Sequence, residues 1–115
     1  MLVKKDTSRI NGISDKSSYA KLNIDEIKNY IKKTVDDFCK NNPCEWFCVR
    51  NLFGSDWRDT PLQDLYEYRK SILSPNPVDS AGIDAGNLLK RVLADDNNYY
   101  EVTFCKNTHM YRKIN

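Results

Sequence analysis

Apolar and polar positions divide the chain into a polar leader and a patterned region that begins near residue 23. Apolar residues recur there at spacings of three and four, which predicts one buried stripe on a first helix. The residues of this stripe are Ile24, Ile27, Ile31, Val35 and Phe38. We expect Asn23 to cap this helix, with Glu26 completing a capping box, and residues 41–43 (Asn-Asn-Pro) to end it.

The segment 46–53 is short, aromatic and β-branched at its start, which predicts a short strand ended by Gly54. In that strand Phe47 and Val49 alternate toward one face. Leu52 and Phe53 are expected to fill the core where the strand ends.

A second helix is predicted from its start signal, in which Thr60 is the N-cap, Pro61 the first helical residue and Gln63 the capping-box partner. Its apolar side is expected to contain Leu62, Leu65 and Tyr66. The proline-rich residues 74–77 stop it, so that a long loop over 71–83 is expected before the next helix.

The third helix is predicted to begin with Asp84 as N-cap, or a turn earlier at Asp79 or Ser80, and to run to about Asp96. Its predicted buried stripe consists of Ala85, Leu88, Leu89, Val92 and Leu93. The positions left exposed are Asn87, Lys90, Arg91 and Ala94. Gly86 lowers helix propensity, which indicates either close approach of a backbone or ligand phosphate or an imperfect first turn.

The last residues predict a β-hairpin with a three-residue loop over 106–108. In this register one face pairs Phe104 with Met110, Val102 with Arg112 and Tyr100 with Ile114. The other pairs Glu101 with Lys113, Thr103 with Tyr111 and Cys105 with His109. A two-residue loop of Asn107 and Thr108 is the less favoured alternative, because it lacks the glycine that such turns favour.

The predicted order of helix, short strand, helix, helix and hairpin is the connectivity of a winged helix, an α+β fold of the helix-turn-helix type. The chain resembles the winged-helix superfamily over 24–115, and its stretches 51–66 and 81–93 are similar to small proteins of low-GC Gram-positive bacteria and their phages. That resemblance implies a fold without an assigned activity. We therefore expect a flexible basic leader over 1–22 and one winged-helix-like domain over 23–115, the leader being either a DNA-following arm or a solvating tail.

Charge and composition limit the class of protein. The 115 residues are 40% hydrophobic and 30% charged, with a net charge of +2, as in an ordinary one-domain soluble protein. Residues 1–23 carry +3, 79–98 carry −2 and 99–115 carry +2. No run approaches the roughly 20 apolar residues of a membrane span, and no signal peptide is evident, so we expect a cytoplasmic protein. Because residues 79–98 have a net negative charge, the predicted third helix is less basic than a typical DNA-reading face.

Residue patterns of known chemistry are scarce. The chain has one histidine, no glycine-rich phosphate loop and no paired acids at a catalytic spacing, so we do not expect an enzyme or a cofactor. Its four cysteines match no disulfide framework and are expected to be free thiols. Cys39, Cys44 and Cys48, with Cys105 or His109, form the alternative of a zinc site, at a spacing unlike the usual repeated Cys-x2-Cys.

Two hypotheses about function follow. The first is a regulatory or mobile-element module that binds double-stranded DNA. In this hypothesis residues of the third helix enter the major groove, and residues of the hairpin contact phosphates. The helix residues are Asn87, Lys90 and Arg91, and the hairpin residues are Lys106, Asn107, Arg112 and Lys113. The second is a protein-interaction module, with a homodimer as one form of it, that uses Trp57, Tyr66 and Tyr68 as aromatic anchors.

Overall fold

The computed structural model describes residues 1–4 and 22–114, in an α+β arrangement. The helices are α1 (Ile24–Asn41), α2 (Val49–Phe53), α3 (Gln63–Ser71) and α4 (Pro77–Asp95). The strands are β1 (Leu2–Lys4), β2 (Tyr100–Cys105) and β3 (Thr108–Lys113). None of the described helices is both long and apolar enough to cross a membrane.

The three strands form one mixed sheet in the order β1-β2-β3. β1 runs parallel to β2, with Leu2 opposite Tyr100, whereas β2 and β3 form an antiparallel hairpin. On the other side of β3, Phe47 and Tyr111 exchange two backbone hydrogen bonds of 2.8 Å. The segment between α1 and α2 therefore adds a single bridge to the sheet.

One hydrophobic core joins the helices to the inner face of the sheet. α4 contributes more of it than any other element and packs against α1, α2 and α3. The aromatic ring of Phe47 lies at its centre and contacts the rings of Phe38, Tyr100 and Tyr111 at centroid distances of 5.4, 6.4 and 6.1 Å. The buried core residues are Ile27, Ile31, Val35, Phe47, Phe53, Leu62, Leu65, Ala81, Ala85, Leu88, Leu89, Val92, Leu93, Tyr100, Val102 and Tyr111.

The start and stripe predicted for the first helix are confirmed. Asn23 Oδ1 accepts a hydrogen bond of 3.1 Å from the Glu26 amide, and the Asn23 side chain donates to the Glu26 carboxylate at 3.2 Å. Ile27, Ile31 and Val35 are fully buried, and the helix ends before residue 42. Local capping signals and apolar spacing were therefore sufficient for this element.

The strand predicted over 46–53 is wrong apart from the bridge at Phe47, because the chain turns into the short helix α2 at Val49. The Asn51 side chain accepts a hydrogen bond of 3.0 Å from the Cys48 amide and so stabilises the first turn. Gly54 ends the helix with a φ of 65°, a conformation that favours glycine. Phe53 is buried, as predicted, and Leu52 packs partly against the core.

The predicted starts of the next two helices are also corrected. Thr60 does not cap α3, since its hydroxyl donates to the Trp57 carbonyl at 2.7 Å and the helix begins at Gln63. α4 begins at Pro77 with Asn76 as its N-cap, so residues 72–76 alone connect it to α3 instead of the long loop expected. Proline is favourable at a first helical position because it has no amide hydrogen to leave unpaired.

Asp84, the predicted N-cap, instead lies in the second turn of α4 and is 1% exposed. Its carboxylate accepts two hydrogen bonds of 2.7 Å from the guanidinium of Arg69 on α3. This bidentate pair links the two helices across their buried contact.

The hairpin has a two-residue turn of Lys106 and Asn107, with φ values of 50° and 64°, so that Cys105 lies opposite Thr108 and Val102 opposite Tyr111. Both registers considered from the sequence are therefore wrong. The actual register buries Val102 together with Tyr111, and this gain in the core outweighs the absence of glycine from the turn.

The prediction of a flexible leader differs from the structure at the beginning of the chain, where Leu2–Lys4 form strand β1 and pair with β2. The prediction for the rest of the leader falls on residues 5–21, which lie outside the described residues.

Candidate functional site

An open groove of about 1190 Å³ lies between α4 and the β2–β3 hairpin, and we call it the α4–hairpin groove. One wall is the first half of α4, another is α2 with the loop that follows it, and the hairpin turn closes one side. The lining residues used below are Val49, Arg50, Trp57, Val78, Gly82, Ile83, Gly86, Asn87, Lys90, Asn107, Thr108 and His109.

Lys90 is the unusual charged residue of this groove. The residue is 6% exposed, although it lies on a helix face that the sequence predicted to be open to solvent. Among residues 1–4 and 22–114, no carboxylate pairs with its ammonium group. Burial lowers the pKa of Lys90 from its ordinary value, since desolvation disfavours the charged form. A lysine that is buried without a counter-ion is unfavourable for folding alone and is available to an external anion.

The other charges of the groove are only partly paired within it. Arg58 donates hydrogen bonds to Asp56 and, with that contact as the main cause, lowers the pKa of Asp56 to about 2. Asp79 accepts a hydrogen bond of 2.7 Å from the Asn76 side chain at the start of α4. Arg50 is exposed on α2, and no ion pair with a described residue satisfies it. The lining thus holds three cations, Arg50, Arg58 and Lys90, and two carboxylates, Asp56 and Asp79, which leaves a net charge of +1.

An aromatic series covers the side of the hairpin that shares a face with Tyr111. The rings of Phe104 and His109 contact each other edge to face at 5.0 Å, and His109 stacks on Tyr111 at 6.4 Å. Phe104 remains 52% exposed near the turn. Of these three residues, His109 and Tyr111 line the groove and Phe104 does not.

Small residues form part of the α4 wall. Gly82 and Gly86 are one helical turn apart, and Lys90 follows after the same interval, so that all three share one face. A Cβ atom built at Gly82 would meet no atom within 4 Å, and at Gly86 the nearest is Val49 Cγ2 at 4.0 Å. Packing inside the protein therefore does not require glycine at either position.

The seven residues predicted to contact DNA are not all brought together. Asn87, Lys90 and Asn107 line the groove, and Lys106 lies beside it at the exposed turn. The expectation that Lys90 is exposed is wrong, because the core-facing side of α4 is wider than its apolar stripe.

Arg91, Arg112 and Lys113 do not line the groove. Arg91 forms an ion pair of 3.1 Å with Asp95 on its own helix. Arg112 donates to Glu101 at 2.9 Å and stacks its guanidinium 4.7 Å from the ring centre of Trp46. Lys113 lies near Cys39 at the end of α1, where its positive charge acts against the rise in the pKa of that thiol caused by burial.

The other candidate residues are reported in the same way. Trp57, Tyr66 and Tyr68 are half-buried, and the first two pack against the core. All four cysteines are free thiols. No group of three or more possible metal ligands occurs within 1–4 and 22–114.

Arg50 and Gly82 line the groove, yet the sequence did not single them out, whereas Thr108, which was expected at the hairpin tip, lines it as well. Arg50 could have been found only if α2 had been recognised as a helix, because its exposure depends on that turn of the chain. Comparisons with family models, with curated proteins and with solved structures found no match.

Proposed function

We propose that this protein binds double-stranded DNA as a winged-helix module, with the α4–hairpin groove facing the duplex. The element order supports the proposal, because a helix, a bridge at Phe47, the α2–α3 segment, a long helix and a hairpin follow one another. The bridge joins the outer side of β3, as the first short strand of a winged helix does. No catalytic role is proposed for any residue.

The single observation that carries the proposal is Lys90, a largely buried residue of the α4–hairpin groove whose ammonium has no carboxylate partner among residues 1–4 and 22–114. DNA phosphates are anions that would satisfy such a group. Arg50 and Lys106 lie on either side as exposed cations, and Asn87 and Asn107 supply amides that hydrogen-bond to base edges or sugar. Charge and hydrogen-bonding groups are thus present on the two elements that a winged helix uses.

Binding of a fluorescently labelled random-sequence duplex, followed by anisotropy over a series of salt concentrations, tests the proposal. We expect log affinity to fall linearly with log salt, and Arg50→Ala or Lys106→Ala to flatten the slope by about 0.9 for each lost phosphate contact. Lys33→Ala is the matched control, since Lys33 is an exposed lysine of α1 outside the groove. Absence of salt-dependent binding to any duplex would contradict the proposal.

A second candidate function is protein interaction, and the apolar start of α4 favours it. Val78 and Ile83 are 66% and 64% exposed, and Leu73 in the preceding turn is 88% exposed. Exposed apolar side chains that lie close together are typical of surfaces that bind another protein.

Sedimentation velocity over a range of protein concentrations tests the self-association form of this candidate. A dimer that Ile83→Asp dissociates would support it, whereas a monomer at all concentrations would exclude it. Ile72→Asp is the control, because Ile72 is a similarly exposed apolar residue, at 49%, that does not line the groove.

A further inference from the structure

Gly82, Gly86 and Lys90 form one continuous line on the wall of the α4–hairpin groove. Successive members are one helical turn apart and all three line the groove. Glycine inside a helix costs up to about 1 kcal/mol relative to alanine. A Cβ would enter open space at Gly82 and would make only an ordinary contact, 4.0 Å from Val49 Cγ2, at Gly86, so packing within this chain does not require either glycine. A ligand that approaches the helix backbone closely would explain why both positions are glycine.

The charge at the end of the line indicates what kind of ligand this is. Lys90 is more than nine-tenths buried, lines the groove, and has no carboxylate partner in the described part of the chain. Of the two carboxylates that line the groove, Asp56 pairs with Arg58, whereas Asp79 accepts a hydrogen bond from the neutral Asn76 side chain and keeps its negative charge. A compact anion beside Lys90 would therefore gain a charge-assisted hydrogen bond without displacing an existing partner.

We propose that Gly82, Gly86 and Lys90 form a binding site for one phosphate group. The glycines leave room for the group against the helix, and the ammonium of Lys90 donates to its oxygens. The phosphate can belong to a nucleic-acid backbone or to a free phosphate compound, and the chemistry at Lys90 is the same for both. The first source rests on the proposed function, whereas the second does not.

Titration of the isotope-labelled full chain with inorganic phosphate, and separately with a short DNA duplex, tests the site by NMR at constant ionic strength. The signals to follow are the backbone amides of Gly82 and Gly86 and the side-chain εCH2 group of Lys90. We expect saturable shifts with both ligands. Lys90→Met should weaken binding of phosphate about tenfold, whereas Lys90→Arg, which keeps the charge, should retain most of it.

Two further variants separate a phosphate site from a general charge effect. Gly86→Ala adds one methyl group at an ordinary contact distance of 4.0 Å from Val49 Cγ2, so it should leave the fold intact and weaken the same binding. Lys33→Met removes an exposed lysine of α1 and should leave both titrations unchanged.

Each result decides between the two proposals. Phosphate binding that depends on Lys90, without any binding of the duplex, would support the site and overturn the proposed DNA function. Duplex binding that Lys90→Met leaves unchanged in affinity and salt slope would overturn the site and leave the DNA function standing. A chain that binds neither ligand would overturn both.

Discussion

Two buried charges on α4 differ in the way that their surroundings satisfy them. Asp84, 1% exposed, accepts two hydrogen bonds from Arg69, so the pair links α3 to α4. Lys90 lies six positions further along the same helix at 6% exposure, yet no described carboxylate pairs with it. Within the described part of the chain, the helix thus places Asp84 beside its cation and Lys90 without a carboxylate partner.

The difference separates structural from functional roles. A buried ion pair with good geometry is stable as a unit and loses much stability when one member is removed. A buried charge without a partner costs free energy in the isolated protein, and that cost is recovered only when something binds. The α3–α4 contact therefore accounts for part of the fold, whereas the groove around Lys90 has the properties of a binding site.

The largest expected change in unfolding free energy follows substitution of Asp84, the buried carboxylate that is paired with Arg69. Asp84→Asn should lower the free energy of unfolding by about 3 to 5 kcal/mol, because it leaves the guanidinium of Arg69 without its carboxylate at a buried contact. Urea denaturation followed by circular dichroism measures the change. Arg69→Met with Asp84→Leu in one chain should recover much of the loss, since an apolar pair needs no desolvation.

A cycle of the two single variants and the double variant isolates the coupling between the residues. Additive losses, without recovery in the double variant, would show that the pair does not act as a unit.

A smaller effect is expected at Asp96, which follows the last turn of α4. Its carboxylate accepts a hydrogen bond of 2.5 Å from Tyr100 and pairs with Lys32 at 3.1 Å. Burial raises the pKa of Asp96, but these contacts outweigh it and hold the pKa below its ordinary value. Asp96→Asn should therefore cost about 1 to 3 kcal/mol at neutral pH.

The pH dependence of this effect has a definite sign. A carboxyl whose pKa is lower in the folded state stabilises the fold above its unfolded pKa, about 3.9, and this contribution is lost as pH falls through the folded value. The gap in unfolding free energy between wild type and Asp96→Asn should thus narrow below about pH 4. A gap that is constant down to acid pH would contradict the role of the charge.

The residues of this comparison show what sequence patterns could predict. Asn23 and the α1 stripe were correct because capping and apolar spacing act within a few residues. The α4 stripe was correct for the same reason, as the burial of Leu88, Leu89 and Leu93 shows. The start of α4 was missed although its signal was present, since Pro77 was interpreted as a helix stop and not as a first helical residue.

Other features depend on contacts between distant parts of the chain. Residues 49–53 have the composition of a strand, but they fold as helix α2. In that helix Phe53 packs in the core, and Val49 and Arg50 line the groove. The hairpin register was wrong by one position, because the burial of Tyr111 against Phe47 determines it and the turn residues do not. The exposure predicted for Lys90 was also wrong, because Lys90 lies on the wall of a groove that residues of α2 and the hairpin complete.

The smallest expected change in unfolding free energy is that of Lys90→Met. It distinguishes Lys90 most clearly from Asp84, because this substitution should stabilise the protein, whereas Asp84→Asn should destabilise it. Lys90→Met keeps an unbranched side chain of similar length and removes the unpaired charge, so the unfolding free energy at neutral pH should rise by about 1 kcal/mol. Burial lowers the pKa of Lys90 in the folded state, so the unfolded state binds more protons between the two pKa values. The penalty is fully present below the folded pKa and diminishes as pH rises toward the unfolded value, about 10.4.

Wild-type stability relative to Lys90→Met should therefore increase from neutral pH toward about pH 10, and denaturation at a series of pH values measures this difference. Lys33→Met, which removes an exposed charge, should show no such trend. If Lys90→Met instead destabilises the protein at neutral pH, then the ammonium already has a stabilising partner within the fold. In that case Lys90 would belong with Asp84 as a structural charge, and the contrast between the two sides of α4 would no longer indicate a binding site.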